Sequence, residues 1–461
     1  MASPEAPQTL RTLLTLAWPI VLARATQAVV GFSDALMVAP LGEDTLAAVT
    51  TGATNVLTFV LLPMGTMFIL QSFSAQLRGR GELETAHRYA VYGLLLAALA
   101  GLFAAAFIPF LEPILAALHF APAVHSQMSG YVAIRLLSIA AVVGIEALGN
   151  WYGGLGNTRI AMIAGITIMV LNVFGNYLLI QPRFGLPGYG AAGSAWASTV
   201  SSWLGFLLIF VLFVRGYGHG LTVGRFRFRW SELARLLRFG LPSGVNWFLE
   251  FAAFALFINV IVGHLGTTVL AAFNVVFQIN SISFMPALGV ASAGAILVGE
   301  NIGQGHKQRV WPLVRLTLSV TCAWMASVGL VYVVFPEPLI GLFEAECAPS
   351  PELMAVGATM LRLCGLWQLV DAVGLTLTEA LRAAGDTAWP MTARILLAWL
   401  VFTPVSWAAI YWWHGGVVTA MVCVIAYITA LAVILSARFA TGRWKTIELI
   451  GEPEIAPLEP N

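Results

Sequence analysis

Five carboxylates stand inside apolar stretches of the chain: Asp34, Glu146, Glu250, Asp371 and Glu379. In SGVNWFLEFAAFALFINVIVG, Ser243 to Gly263, Glu250 lies near the middle of a run long enough to cross a bilayer core, which takes about 20 apolar residues. One charge at that depth costs roughly 2.5–3.5 kcal/mol on insertion scales, so a partner must offset it or the protein must use it. Desolvation disfavours a charged carboxylate and a nearby cation or donor favours it, so such a group can alternate between protonated and ionised forms as its surroundings open. The neighbours fit this chemistry. Asn246 precedes Glu250 by four residues, and Trp367 and Gln368 precede Asp371 by four and three, each on a shared helix face. Asn172 and Asn176 are one turn apart, as are Tyr131 and Arg135. Oxygen donors of this kind suit Na⁺ or a shared proton, with Glu250 and Asp371 as candidate Na⁺ ligands, and no set soft enough for a transition metal is assembled. The structural alternative is an ion pair with Arg24, Arg135 or Arg362, which suits Glu146 and Glu379 best because they lie near span ends.

Other motifs carry less. GYGAAG, Gly188 to Gly193, spells GxGxxG, but it follows a loop and opens an apolar span, with no preceding strand; Gly190 and Ser194 read better as a small-xxx-small helix contact. AAGDT, Ala383 to Thr387, has an aspartate beside arginines without the Gly-x-Gly-Asp of intramembrane proteases. The chain has no GxxxxGK[ST] loop and no HExxH pair, so nothing supports an enzyme, a nucleotide-driven pump or an organic cofactor. Cys322, Cys347, Cys364 and Cys423 form no CxxC pair and specify neither disulfides nor zinc.

The elements that must position these residues are membrane spans. The chain is 59% hydrophobic and 10% charged, with a mean hydropathy of +0.86, whereas soluble domains carry about 25% charged residues. Twelve apolar segments are expected, near 13–39, 46–74, 89–111, 129–152, 160–181, 190–214, 237–262, 270–299, 311–335, 354–381, 390–412 and 416–438. The first apolar run is too long for a cleaved leader and is read as an insertion signal. Of the 23 Lys and Arg, 19 fall on the tail and alternate loops, Arg382 and Arg394 included, against Arg183 alone on the opposite side. That asymmetry places both termini in the cytoplasm.

Six of the spans are repeated. LGEDTLAAV (Leu41–Val49) matches LGTTVLAAF (Leu265–Phe273), RGRG (Arg78–Gly81) matches IGQG (Ile302–Gly305), and LGNTR (Leu155–Arg159) matches AGDTA (Ala384–Ala388). Parallel repeats of this kind occur in secondary transporters that rock one half against the other around a midplane site. The division expected is a first six-helix lobe over 1–224, a cytoplasmic interfacial linker helix over 225–240, RFRFRWSELARLLRFG, and a second lobe over 241–461 with a short tail.

The chain resembles the multidrug and toxic compound extrusion (MATE) transporters, in their NorM-like branch, over nearly its whole length. The resemblance rests on WPIVLARATQAVVGFSDALMVAPLG in the first span, GGLGNTR after the fourth, NVFGNYLLI in the fifth, GLPSGVNWFLE at the seventh and EALRAAGDT after the tenth. It implies an all-α protein of two six-helix lobes around a V-shaped cavity. It also implies export of cationic and amphiphilic compounds in exchange for Na⁺ or H⁺. Residue by residue, Asp34 matches the family's first-lobe aspartate, and Pro19 the proline at which the first span bends in some members. Tyr131, Asn172 and Ser194 match first-lobe polar ligands, and Glu250 and Asp371 the second-lobe acidic pair. Asn176 stands where some members have an aspartate, and Arg24 where relatives are often uncharged. Ion coupling is thus assigned to Asp34, Glu250, Asp371, Asn172, Asn176 and Tyr131, the substrate cavity to Asn246, Trp367, Gln368 and Ser194, and a hinge to Pro19. The expected setting is a monomer in the bacterial inner membrane that meets small organic cations and lipid but no nucleic acid. A lipid-linked saccharide flippase of the same superfamily is the alternative.

Overall fold

The computed structural model describes residues 9–116, 121–183, 185, 187–220, 228–342 and 351–451. Cys347, Arg225 and Arg227 lie outside them. The described chain is helical and forms twelve crossings: α1 Leu10–Leu41, α2 Glu43–Arg80, α3 Leu83–Ala116, α4 Pro122–Leu136 with Ile139–Gly154, α5 Thr158–Leu179, α6 Gly190–Val214, α7 Trp230–Leu265, α8 Thr267–Gly303, α9 Lys307–Val334, α10 Pro351–Ala383, α11 Ala388–Tyr411 and α12 Val417–Ala440. The two pieces of α4 meet at 45° and make one broken span. At 1.5 Å per residue even the shortest of these reaches the roughly 30 Å of a hydrocarbon core.

The repeat is visible in the backbone. Where LGEDTLAAV and LGTTVLAAF align, each chain passes through a short 3₁₀ turn and then a glycine in a conformation that a side chain resists, Gly42 at φ 108° and Gly266 at φ 111°. The pairs Gly81 with Gly305 (φ 85° and 80°) and Gly156 with Gly385 (φ 77° and 87°) repeat the same correspondence at the other end of the bundle.

Two large hydrophobic cores follow the two halves, with an exchange at their base. The second-half core takes Leu13 and Ala17 from the start of α1. The first-half core takes Leu233 and Leu236 from the start of α7, and Leu449 and Ile450 from the segment after α12. This corrects the expectation of a separate linker helix. Trp230–Gly240 continues without interruption into the rest of α7, with Pro242 inside the same helix. Leu233 and Leu236 of this stretch are buried against the first half. The proline at 242 does not break the helix, because one lost hydrogen bond is tolerated where packing holds both sides. Pro19 is likewise buried within an unbroken α1.

The halves are stitched together at the arginine-rich end. Gln71 donates to the Ser292 carbonyl (2.8 Å) and accepts from its hydroxyl (3.1 Å), and Gln76 donates to the Ala383 carbonyl (2.7 Å). Gly303 and Gly244 sit against the carbonyls of Gln76 and Leu62, where a Cβ has no room. Toward the other end, α1, α2, α7 and α8 expose Gln27, Thr54, Thr58, Asn259, Asn274 and Gln278. Exposed amides and hydroxyls at membrane depth belong beside water, so these helices wall a cleft that opens away from the arginine-rich end.

Candidate functional site

Each half holds its own buried carboxylate centre. In the first, Asp34 on α1 is 8% exposed, while Asn172 and Asn176 on α5 are fully buried. Asp34 Oδ1 accepts from Asn172 (3.0 Å) and Asn176 (2.5 Å), and Oδ2 accepts from Ser198 on α6 (2.9 Å). Asn172 also donates to Ser198 (2.9 Å), and Ser33 donates to Asn172 (3.3 Å), which fixes which way both amides face. The one-turn spacing of Asn172 and Asn176 is what lets both amides reach the same oxygen. Arg135 on α4 is near enough for its charge to act on Asp34 and on Tyr131. Tyr131 is 2% exposed, its ring packed under Gly52. Ser194, one turn before Ser198, is fully buried, and its hydroxyl makes no hydrogen bond among the described residues. Sequence reasoning named Asp34, Asn172 and Asn176 and missed Ser198 and Ser33, whose serines look like ordinary small residues of a packed span.

In the second half, Glu250 on α7 accepts at Oε2 from Arg394 on α11 (2.8 Å) and at Oε1 from Tyr427 on α12 (3.3 Å). Arg394 is steadied from behind by Thr378 on α10 (3.0 Å). Asp371, also on α10, lies within the electrostatic reach of both Glu250 and Arg394 and makes no hydrogen bond among the described residues. Glu250 is thus bonded to Arg394, and Asp371 lies within the field of that pair. When both carboxylates are ionised, two carboxylates and one guanidinium carry one negative charge in excess. Above it, Phe254, Phe402 and Tyr427 pack ring to ring, with Phe402 and Tyr427 4.9 Å apart. Both α7 and α11 widen into a π-helical turn here, at Phe257–Val262 and Leu397–Phe402, a feature frequent at functional sites.

Arg394 corrects the sequence reading, which counted it among the cytoplasmic loop charges. It lies in the second turn of α11, 16% exposed, and its charge is directed at Glu250. The residues assigned to the substrate cavity are all buried. Asn246 is 9% exposed, Trp367 7%, and Gln368 and Ser194 are fully buried. Gln368 turns toward α8 and donates to Asn280 (2.8 Å) instead of joining Asp371.

Glu146 and Glu379 make no hydrogen bond to either centre among the described residues. Arg24 binds Glu146 through both nitrogens (3.0 and 3.3 Å), supported by Gln27 (3.1 Å) and Asn150 (3.2 Å). Glu379 is paired with Arg382. The two guanidiniums, one from each half, lie over the same Phe68 ring at 5.5 and 5.4 Å from its centroid. Arg362 pairs with Glu337 (2.7 Å) at a largely exposed position.

Both halves of the chain match the MatE family model, over residues 19–178 and 242–408. A protein of Chromobacterium violaceum described as a probable multidrug resistance protein NorM is 27% identical over 395 residues, 85% of this chain and 84% of that one. Its counterpart in Neisseria meningitidis serogroup B, described in the same words, is 28% identical over 437 residues, 92% of each chain. Among solved structures, one described as an outward-facing conformation of a multidrug resistance MATE family transporter superposes with a TM-score of 0.87. It shares 19% identity and covers 97% of this chain and all of that one.

Proposed function

The chain belongs to the MatE family, in its NorM-like branch, and on that premise we propose that it is a secondary multidrug efflux transporter that exports cationic or amphiphilic organic compounds in exchange for Na⁺ or H⁺. What supports the exchange is the make-up of the second-half centre, two carboxylates with one arginine bonded to one of them. Glu250 and Asp371 share the single cation Arg394, and the remaining negative charge in a low-dielectric site favours taking up one monovalent ion or one proton. An entering cation competes with Arg394 for Glu250, so its arrival loosens the tie between α7 and α11. The substrate meets the cleft wall, and alternating access moves the opening from one end to the other. The asymmetry of arginines supports a plasma membrane protein with both termini in the cytoplasm and a cleft that opens outward.

The test is transport by the full chain in proteoliposomes, with a cationic dye as substrate and either a Na⁺ gradient or a pH gradient imposed. Dye movement is expected to follow one of the gradients, to stop when it is dissipated, and to be absent in Glu250→Gln. Dye flux that is the same with and without either gradient overturns the exchange mechanism.

A further inference from the structure

A cavity of about 620 Å³ opens at the arginine-rich end, outside both carboxylate centres. One wall is the start of α7, with Arg235, Arg238 and Phe239; a second is the turn into α11, Gly385 to Ala388; the third is the segment after α12, Thr446 to Glu448. The third wall is fixed in place. Leu449 and Ile450 are buried in the first-half core, the Gly451 carbonyl accepts from Arg80 (2.6 Å), and Gly385 lies close under Leu449. A smaller cavity of about 170 Å³ adjoins it and shares Ser231 and Arg235.

The carboxylates around this space are mostly committed elsewhere. Glu232, one turn before Arg235, is held by Arg88 (2.8 Å) and Tyr92 (2.9 Å). Asp386 is held by Arg438 through two bonds (2.7 and 3.2 Å). Glu448 lines the rim and is exposed. Arg235 and Arg238 have no acidic partner among the described residues. The cavity also meets the start of α11, whose cap residue Thr387 is 6% exposed, lines the cavity, and has a buried hydroxyl with no hydrogen-bond partner. Two guanidiniums without an acidic partner, Arg238 resting over the Phe239 ring at 5.9 Å, a helix N-terminus and a buried hydroxyl without a partner are the donors a tetrahedral oxyanion takes.

We infer that this cavity is a phosphate-binding site, taking the phosphate of an anionic lipid headgroup or a free phosphate compound. Its place at the end of the spans, with Trp230 and Leu241 exposed on the same helix, sets it at headgroup level. Each arginine near an anionic surface is worth about fivefold in binding, so the pair is worth about 25-fold.

The experiment uses the purified full chain in detergent, with phosphatidylglycerol, inorganic phosphate and diacylglycerol as probes, reading retained lipid by native mass spectrometry and phosphate by its effect on Tm. The variants are Arg235→Gln with Arg238→Gln, the milder Thr387→Val, and Arg443→Gln as an exposed arginine of the same end outside the cavity. If the source is lipid, wild type and Arg443→Gln retain phosphatidylglycerol over diacylglycerol, the double variant loses that preference by about 25-fold, and Thr387→Val weakens it. If the source is free phosphate, inorganic phosphate raises the Tm of wild type and of Arg443→Gln but not of the double variant, with lipid retention equal in all. The site is overturned if neither probe distinguishes the double variant and Thr387→Val from wild type, or if diacylglycerol is retained as well as phosphatidylglycerol and inorganic phosphate leaves the Tm of wild type unchanged.

Discussion

Glu250 and Arg394 are 144 residues apart in the chain and 2.8 Å apart in space. Because Asp371 shares the same guanidinium, Glu250→Gln and Asp371→Asn are each expected to abolish ion-driven efflux while membrane insertion stays normal. The double variant should be hardly worse than either single one, as for residues that act as a unit. Additive losses in the transport rate speak against a shared site. Removing the cation has the opposite effect on stability. Arg394→Gln leaves Glu250 without its cation and in the field of Asp371, and with Glu250 a quarter exposed the expected cost is about 2 kcal/mol, below the range for fully buried pairs. Adding Glu250→Gln should recover most of that loss in a denaturant titration, and a double variant no more stable than Arg394→Gln contradicts the pairing. The carboxylates themselves were legible in the sequence, since a charge in an apolar run stands out by its cost. Their partners were not. Ser198 and Thr378 are small polar residues of a kind common in packed spans, and Arg394 sits near a span end, where positive charge is ordinary. Only the tertiary fold, which lays α11 and α12 against α7, reveals that Arg394 and Tyr427 converge on Glu250.

Among the elements, hydropathy marked all twelve crossings, because the bilayer thickness imposes a length that chance composition rarely matches. It did not mark where helices continue into polar sequence. α7 begins at Trp230, several residues before the apolar run, and its first turns carry Arg235 and Arg238 while burying Leu233 and Leu236. An amphipathic start followed by an apolar run reads as two segments when hydropathy is averaged, and as one helix once its buried face has a partner. The anchor of that start is Glu232, held by Arg88 and Tyr92. Glu232→Gln is expected to lower the stability of the detergent-solubilised protein by about 2 kcal/mol, as for hydrogen bonds to a charged group, while Ser231→Ala, an exposed neighbour, leaves it unchanged. Equal unfolding midpoints for Glu232→Gln and wild type exclude Glu232 as the anchor.

For the whole molecule, the duplicated turns and the arginine asymmetry give one topology. Single cysteines at Gly42, Gly266 and Gly415 should react with an impermeant thiol reagent added outside intact cells, and a cysteine at Gly81 should not; the reverse pattern inverts the protein in the membrane. The close approach at the arginine-rich end gives a second expectation. Gly303→Leu has no space against Gln76, so it should disfavour the state in which these ends meet and shift the population toward one open there. Spin labels at Thr54 and Gln278, on the two walls of the cleft, should report a shorter distance in that variant than in the wild-type protein. An unchanged distance distribution removes the glycine contact from the switching interface. The continuity of α7 adds a mechanical element to this switch. With its first turns clamped in the first half and Glu250 eight residues beyond Pro242, the helix is a lever whose arm is about 12 Å long. A proline is a natural fulcrum, and a change of about 20° there sweeps the tip of the arm through about 4 Å. That arc is longer than the hydrogen bond from Arg394 to Glu250, so a swing of this size would pull the carboxylate off its arginine and free it for an entering cation, gearing cation exchange to the motion of the backbone.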